Sequence, residues 1–197
     1  TPAMAVPSLE ALVAAGHDVA IVITGADKRR GRGSDFSASP VKAAAQQRGL
    51  VVVIARREPP PGPRGEIVVD AFGQLVRPHV LDAVPMVNSH YSLLPRWRGA
   101  APVERALLAG DSETGVCLMQ LAAGLDTGPV YDTVRVPIGP TTTAQQLREA
   151  LVAAGVAQLV RCLGAPLPVP TEQQGEPTYA AKIHPSDLRI DWSQPVE

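Results

Sequence analysis

Apolar positions in the first fifty residues follow two rhythms. Met4, Leu9, Leu12 and Val13 return near one helical face, which predicts a helix over residues 3–15 with Gly16 just past its end. Residues 19–23 are continuously apolar, the pattern of a strand buried on both faces in a parallel sheet. Residues 24–37 are polar, basic and glycine-containing, and read as a long loop. Ser39 and Pro40 supply a cap and a first-turn residue for a helix through about Arg48, and residues 50–55 form another buried strand.

The alternation continues along the chain. Pro59, Pro60, Pro61 and Pro63 exclude helix and central strand, so this stretch is expected to be an extended or disordered connection. Ile67, Val68 and Val69 lead as a strand into a turn at residues 71–73, and a short helix follows near residues 78–81. Residues 86–90 make a strand that feeds the polar segment 91–99, and residues 102–109 fit a helix closed by Gly110. Strands at residues 116–121 and 130–136 flank a turn, and residues 143–163 form a long amphipathic helix capped by Thr142 or Thr143. From Gly164 onward the chain is proline-rich, so a domain over residues 1–163 and a linker or tail over residues 164–197 are expected. Strands alternating with helices predict an α/β domain, Rossmann-like in its mostly parallel sheet. Ligands of such sheets bind beyond the carboxyl ends of the strands, here residues 71–76, 88–95 and 124–128.

Composition narrows the class. At 197 residues, 45% hydrophobic and 19% charged, the chain suits one domain with an ordinary core rather than a disordered or disulfide-framed protein. No apolar run is long enough to span a bilayer, and residues 1–4 do not resemble a signal peptide. Cys117 and Cys162 read as reduced apolar fillers, too few for a metal cage, which makes a cytoplasmic location the natural expectation. A net charge of −1 argues against a chain-wide nucleic-acid surface and leaves one local basic loop, with Lys28, Arg29, Arg30 and Arg32. No glycine-rich dinucleotide fingerprint or P-loop is present.

Three segments could carry chemistry. Asn88 and His90 share one face of their strand, about 6–7 Å apart. An amide donor beside an imidazole suits a carbonyl addition, where both can stabilise a developing oxyanion. A strand-end Asn and His also serve purely structural roles. Arg96, Trp97 and Arg98 follow Leu93, Leu94 and Pro95, and could form a cation–π surface or meet anionic groups, or else tuck the indole inward with the arginines solvated. Asp126, between Gly124 and Gly128, is held by a tight turn; beside His90 it would orient the ring and favour its protonated form, or it serves the turn alone.

Asn88-Ser89-His90-Tyr91-Ser92-Leu93-Leu94-Pro95 and Gly124-Leu125-Asp126-Thr127-Gly128 resemble the two signature segments of the 10-formyltetrahydrofolate-dependent formyltransferases. Arg96-Trp97-Arg98-Gly99-Ala100-Ala101-Pro102 resembles the methionyl-tRNA branch, and further matches run from Ala5 to Trp192 and cover almost the whole chain. The resemblance implies that Asn88, His90 and Asp126 are the catalytic trio. It implies folate contacts from Phe72, Gly73, Gln74, Leu75 and Val76, from Ser92, Leu93, Leu94 and Pro95, and from the turn with Gly124 and Leu125. It places Lys28, Arg29, Arg30, Arg32, Arg96 and Arg98 toward initiator methionyl-tRNA, and implies neither a metal nor a membrane partner.

The chain also departs from the family. It starts at Thr1-Pro2, where the family has a central strand before this point, so that strand is expected to be absent, as is the β-barrel domain that follows Trp192-Ser193. Residues 56–66 look short, Tyr91 stands where glycine is frequent, and Ser89 stands where an apolar residue is common. The implied activity is formyl transfer to the methionine amine of initiator tRNA. An amino-sugar formyltransferase and a non-catalytic folate-binding remnant are the alternatives.

Overall fold

The computed structural model describes residues 3–29, 36–54, 67–70, 76–189 and 192. Of the positions named above, Arg30, Arg32, the prolines at 59–63, and Phe72, Gly73, Gln74 and Leu75 lie outside the described residues.

A 3-10 turn at Ala3–Ala5 runs into helix α1 (Val6–Ala14), with Pro7 in its first turn and Ser8, Leu9 and Leu12 buried. Gly16 follows with φ +85°, the left-handed backbone that ends a helix without a side-chain clash. Next come β1 (Val22–Thr24), an antiparallel hairpin of β2 (Lys28–Arg29) and β3 (Phe36–Ser37), helix α2 (Pro40–Gln47) and β4 (Val52–Ile54). β1 starts later than its apolar run because its register is set by parallel pairing with β4, Val22 opposite Val52. Thr24, expected in a loop, is instead the buried end of β1, 2.9 Å from the Ser39 hydroxyl. Ser39 caps α2 as expected, accepting the Lys42 N–H at 3.1 Å.

The second half holds β5 (Ile67–Val69), α3 (Pro78–Leu81), β6 (Met86–His90), β7 (Arg98–Gly99), α4 (Pro102–Leu108), β8 (Glu113–Gln120), β9 (Val130–Pro137), α5 (Ala144–Leu163) and β10 (Tyr179–Ala180). A last 3-10 turn spans Pro185–Leu188. One sheet runs β5-β6-β8-β9: β5 and β6 are parallel, and β8 and β9 extend it as an antiparallel arm. β1 and β4 form a separate parallel pair, and no described strand joins β1 to β5.

The core forms where α5 crosses the arm. Thr143 caps α5 through a reciprocal box with Gln146, and Leu147, Leu151, Leu159 and Cys162, spaced by three or four residues or their multiples, are buried against β8 and β9. Val116 and Leu118 of β8 meet them and are fully buried, while α1 docks between α2 and α5. These contacts fix the carboxyl end of β6, where the candidate residues stand.

The chain beyond α5 returns to this body. Thr171 exchanges two 2.8 Å hydrogen bonds with Val130, and β10 pairs in parallel with β7, Tyr179 opposite Arg98 and Ala180 opposite Gly99. Trp192 is 87% exposed, and the segment is anchored by backbone pairing at β10.

Candidate active site

β6 lies between β5 and β8, so its backbone is fixed from both sides, with Asn88 opposite Val69 and Met119. Alternation sends Asn88 and His90 to one face. His90 is only 6% exposed, and its Nε2 lies 2.9 Å from the Trp97 carbonyl oxygen. A carbonyl can only accept, so Nε2 is the donor and Nδ1 is left to face Asp126, whose Oδ2 is 3.6 Å away. That distance is too long for a hydrogen bond, so Nδ1 keeps its capacity for another partner. Asn88 is half-buried and its amide has no hydrogen-bond partner among the described residues.

Trp97 has φ +63°, a left-handed conformation that costs a bulky residue about 1–3 kcal/mol. Its tethers explain how it persists. The indole N–H donates to Asp111 Oδ2 at 2.8 Å, and the backbone N–H donates to Thr178 Oγ1 at 2.9 Å. The Arg96 guanidinium lies 4.6 Å over the ring and donates to Asp111 from Nε at 2.9 Å and Nη2 at 2.6 Å. Arg96, with the help of the indole, holds the Asp111 carboxyl below its ordinary value. The result is a backbone that turns its carbonyl onto His90. Ser92 is fully buried and donates to the Arg96 carbonyl at 2.6 Å, so its hydroxyl serves the turn, not an open cleft.

Asp126 also has a left-handed backbone, φ +50°, which aspartate tolerates well. Its Oδ2 accepts the Gly99 N–H at 2.7 Å, an approach that needs Gly99 at φ +120°, where a Cβ would meet the Ala180 carbonyl oxygen at 2.8 Å. At Gly128 a Cβ would fall inside the Gln120 carbonyl oxygen, so the turn closes on β8 only with glycine there. Gln173 completes the turn: its Nε2 donates to the carbonyls of Asp126 at 2.9 Å and Gly128 at 2.7 Å.

The structure thus gathers Asn88, His90 and Asp126, with Leu93, Leu94 and Pro95 half-buried, Gly124 exposed and Leu125 exposed beside them. Val76 is half-buried at the end of the segment that holds the other expected folate contacts. Both arginines of the turn are engaged: Arg96 by Asp111, and Arg98 by Gln173 Oε1, at 3.1 Å from Nε and 2.6 Å from Nη2. Lys28 and Arg29 lie on β2, whose pairing is with β3.

Sequence reasoning missed Asp111, Gln173 and Asp70. Asp70 follows β5, accepts the Ser8 hydroxyl at 2.5 Å and faces the Tyr91 hydroxyl at 3.5 Å. Burial pushes both the Asp70 carboxyl and the Tyr91 phenol up, and the Asp70 charge adds to the effect on Tyr91. A carboxylate ending the apolar run 67–69 was the available signal for Asp70. Nothing local marks Gln173.

Residues 1–163 match the family described as formyl transferase. Methionyl-tRNA formyltransferases of Thiobacillus denitrificans and Roseobacter denitrificans are 44% and 45% identical over all of this chain, which covers 68% of each. That of Symbiobacterium thermophilum is 43% identical over all of the chain, which covers 65% of it. Among solved structures, an N-formyltransferase from Helicobacter canadensis, in complex with folinic acid and dTDP-3-aminofucose, shares the fold at TM-score 0.73 and 21% identity, covering 94% of this chain and 69% of that one. Phosphoribosylglycinamide formyltransferase from Bacillus halodurans aligns at TM-score 0.65 and 23% identity, covering 79% of this chain and 89% of that one. No helix among the described residues is long and apolar enough to cross a membrane.

Proposed function

We propose a reaction for a chain that belongs to the formyl transferase family: transfer of the formyl group of 10-formyltetrahydrofolate to the methionine amine of initiator methionyl-tRNA. The observation that carries it is the convergence of Asn88, His90 and Asp126, with an amide that has no partner among the described residues and a ring nitrogen left for substrate. The acceptor follows from relatives at 43–45% identity that are methionyl-tRNA formyltransferases, whereas the sugar-directed enzyme, at 21%, shares the fold alone. The chain spans about two thirds of the length of those relatives.

As the amine nitrogen bonds to the formyl carbon, negative charge gathers on the formyl oxygen. The Asn88 amide donates to that oxygen, and so does His90 from a protonated Nδ1, while the Trp97 carbonyl keeps the other N–H in place. Asp126 orients His90 and takes up the proton the amine loses; as the bond from the formyl carbon to N10 of the folate breaks, Asp126 returns that proton to N10. Donors fixed before the charge develops need no reorganisation when it does, which is the advantage of the braced turn.

The folate lies along the ledge of Leu93, Leu94 and Pro95, against the backbone of residues 72–76 and the turn with Gly124 and Leu125. Lys28, Arg29, Arg30 and Arg32 supply phosphate contacts to the acceptor end of the tRNA, contacts that position without reading bases. Arg96 and Arg98 add charge to that surface through their remaining N–H groups. The reaction belongs to the cytoplasm, where charged initiator tRNA is found.

The test is formyl transfer from 10-formyltetrahydrofolate to initiator Met-tRNA by this chain and its His90→Ala variant, with an amino-sugar nucleotide as the competing acceptor. Transfer to the tRNA that falls by about 100-fold or more in the variant supports the reading. Transfer to the sugar alone, or to neither acceptor, overturns it.

A further inference from the structure

Gln173 lies in the segment that reads as linker, yet its side chain makes four hydrogen bonds at the candidate active site. Its amide nitrogen donates to the carbonyls of Asp126 and Gly128, at 2.9 and 2.7 Å. Its amide oxygen accepts Nε and Nη2 of Arg98, at 3.1 and 2.6 Å. Arg98 belongs to β7, whose other residue, Gly99, donates its backbone N–H to the Asp126 carboxylate at 2.7 Å. The two ends of Asp126, carbonyl and carboxylate, are therefore held by one structure: β7, the Gln173 side chain and the Asp126 turn.

We propose that Gln173 is a positioning residue that sets the Asp126 carboxylate against His90, with Arg98 locking the orientation of the Gln173 amide. The proposal rests on the formyl-transfer reading for its kinetic consequence but not for its geometry. An amide that must offer both hydrogens to carbonyls has one orientation only, and a guanidinium that can only donate enforces it from the other side. Asp126 has a left-handed backbone, so the turn relies on such outside contacts to keep its shape. The carboxylate and His90 Nδ1 stand 3.6 Å apart without a direct hydrogen bond, so their spacing is set by the frame behind each of them. Behind His90 that frame is the Trp97 carbonyl; behind Asp126 it is Gln173. The segment after α5 thereby becomes part of the reaction site.

Two variants of the full chain test this. Gln173→Met keeps the length of the side chain and removes all four hydrogen bonds. Gln173→Glu keeps the acceptor for Arg98 and removes both donors to the turn. Each is read by steady-state kinetics, by thermal unfolding, and by the imidazole 15N resonances of His90 at fixed pH, with His17, His79 and His184 as internal references. The expected result is a kcat lower by about 10- to 100-fold with KM for folate and tRNA nearly unchanged. His90 resonances should move as they do in Asp126→Asn, while the other three histidines stay in place. A variant that lowers the melting temperature but leaves kcat and the His90 signals unchanged overturns the proposal. So does Gln173→Glu behaving as wild type, and so does a rise confined to KM for tRNA. If the wild-type chain transfers no formyl group, the formyl-transfer reading fails, and the His90 resonances alone decide whether Gln173 is the brace.

Discussion

Asp111 is the perturbation from which the geometry of the turn yields the sharpest consequence. Its carboxylate receives the Trp97 indole N–H at 2.8 Å and two N–H groups of Arg96, and the Trp97 backbone it anchors is strained at φ +63°. Asp111→Ala leaves the half-buried indole donor without a partner, at about 1–3 kcal/mol. The Arg96 pair adds no more than about 1 kcal/mol, because the guanidinium is 45% exposed and solvent screens it. The sum is about 1–4 kcal/mol, and each kcal/mol lowers the melting temperature of a chain this size by about 2–4 °C. The folded-state carboxyl is lowered below its ordinary value of 3.8. Its stabilising contribution is therefore complete above that value and is lost as pH falls through the lowered one, so wild type and variant converge in acid. The functional consequence is separate. Once untethered, Trp97 relaxes toward an ordinary backbone and withdraws its carbonyl from His90 Nε2, which costs at least about tenfold in kcat. Denaturant unfolding at pH 7 and at about pH 2, with formyl-transfer kinetics on the folded variant, measures both. A variant equal to wild type in stability and kcat would refute the idea that Asp111 holds the Trp97 carbonyl in place.

Three further predictions follow from other contacts. Asn88→Ala removes an amide with no hydrogen-bond partner among the described residues, so transfer falls by about 10²–10³-fold while denaturant stability changes by less than about 0.5 kcal/mol; a large stability loss would mean that the amide is structural. Gly128→Ala forces a Cβ into the Gln120 carbonyl, and unfolding measurements should show a loss of about 3 kcal/mol or more together with loss of transfer. Asp70 has a carboxyl raised by burial, so its ionisation opposes folding. The advantage of Asp70→Asn should be smallest below the ordinary value of 3.8, grow as pH rises toward the raised value and be complete above it; urea unfolding at pH 3 and pH 8 shows this, and a gap that narrows with rising pH would contradict it.

Most elements were legible from local pattern. The cap at Ser39, the capped helix from Thr143 and the strand Met86–His90 each depend on residues adjacent in sequence, and the structure places all three as read. Boundaries were less legible where pairing sets them: β1 starts at Val22, and β8 starts at Glu113 because β9 reaches back to pair with it. Asn88 and His90 share a strand and Asp126 sits in a glycine-bounded turn, which marked them as candidates, but only the family resemblance joined them as a trio. The partners of the trio were not legible. Trp97 offers His90 a backbone oxygen, a group every residue carries, and Gln173 lies 47 positions from the Asp126 carbonyl it holds.

By itself, the sequence determined the chemical groups and the elements that carry them, because apolar period, caps and turn glycines act over a few residues. The tertiary structure alone decided which groups are spoken for. Arg96 and Arg98, open in the sequence as a cation–π surface, as anion contacts or as solvated cations, are bound to Asp111 and Gln173, with Arg96 also over the Trp97 ring, while the Asn88 amide has no partner among the described residues. The physical reason is that hydrogen-bond capacity is used up by whatever the folded chain brings within about 3 Å, and that neighbourhood is set by strand pairings such as β7 with β10, made between distant segments.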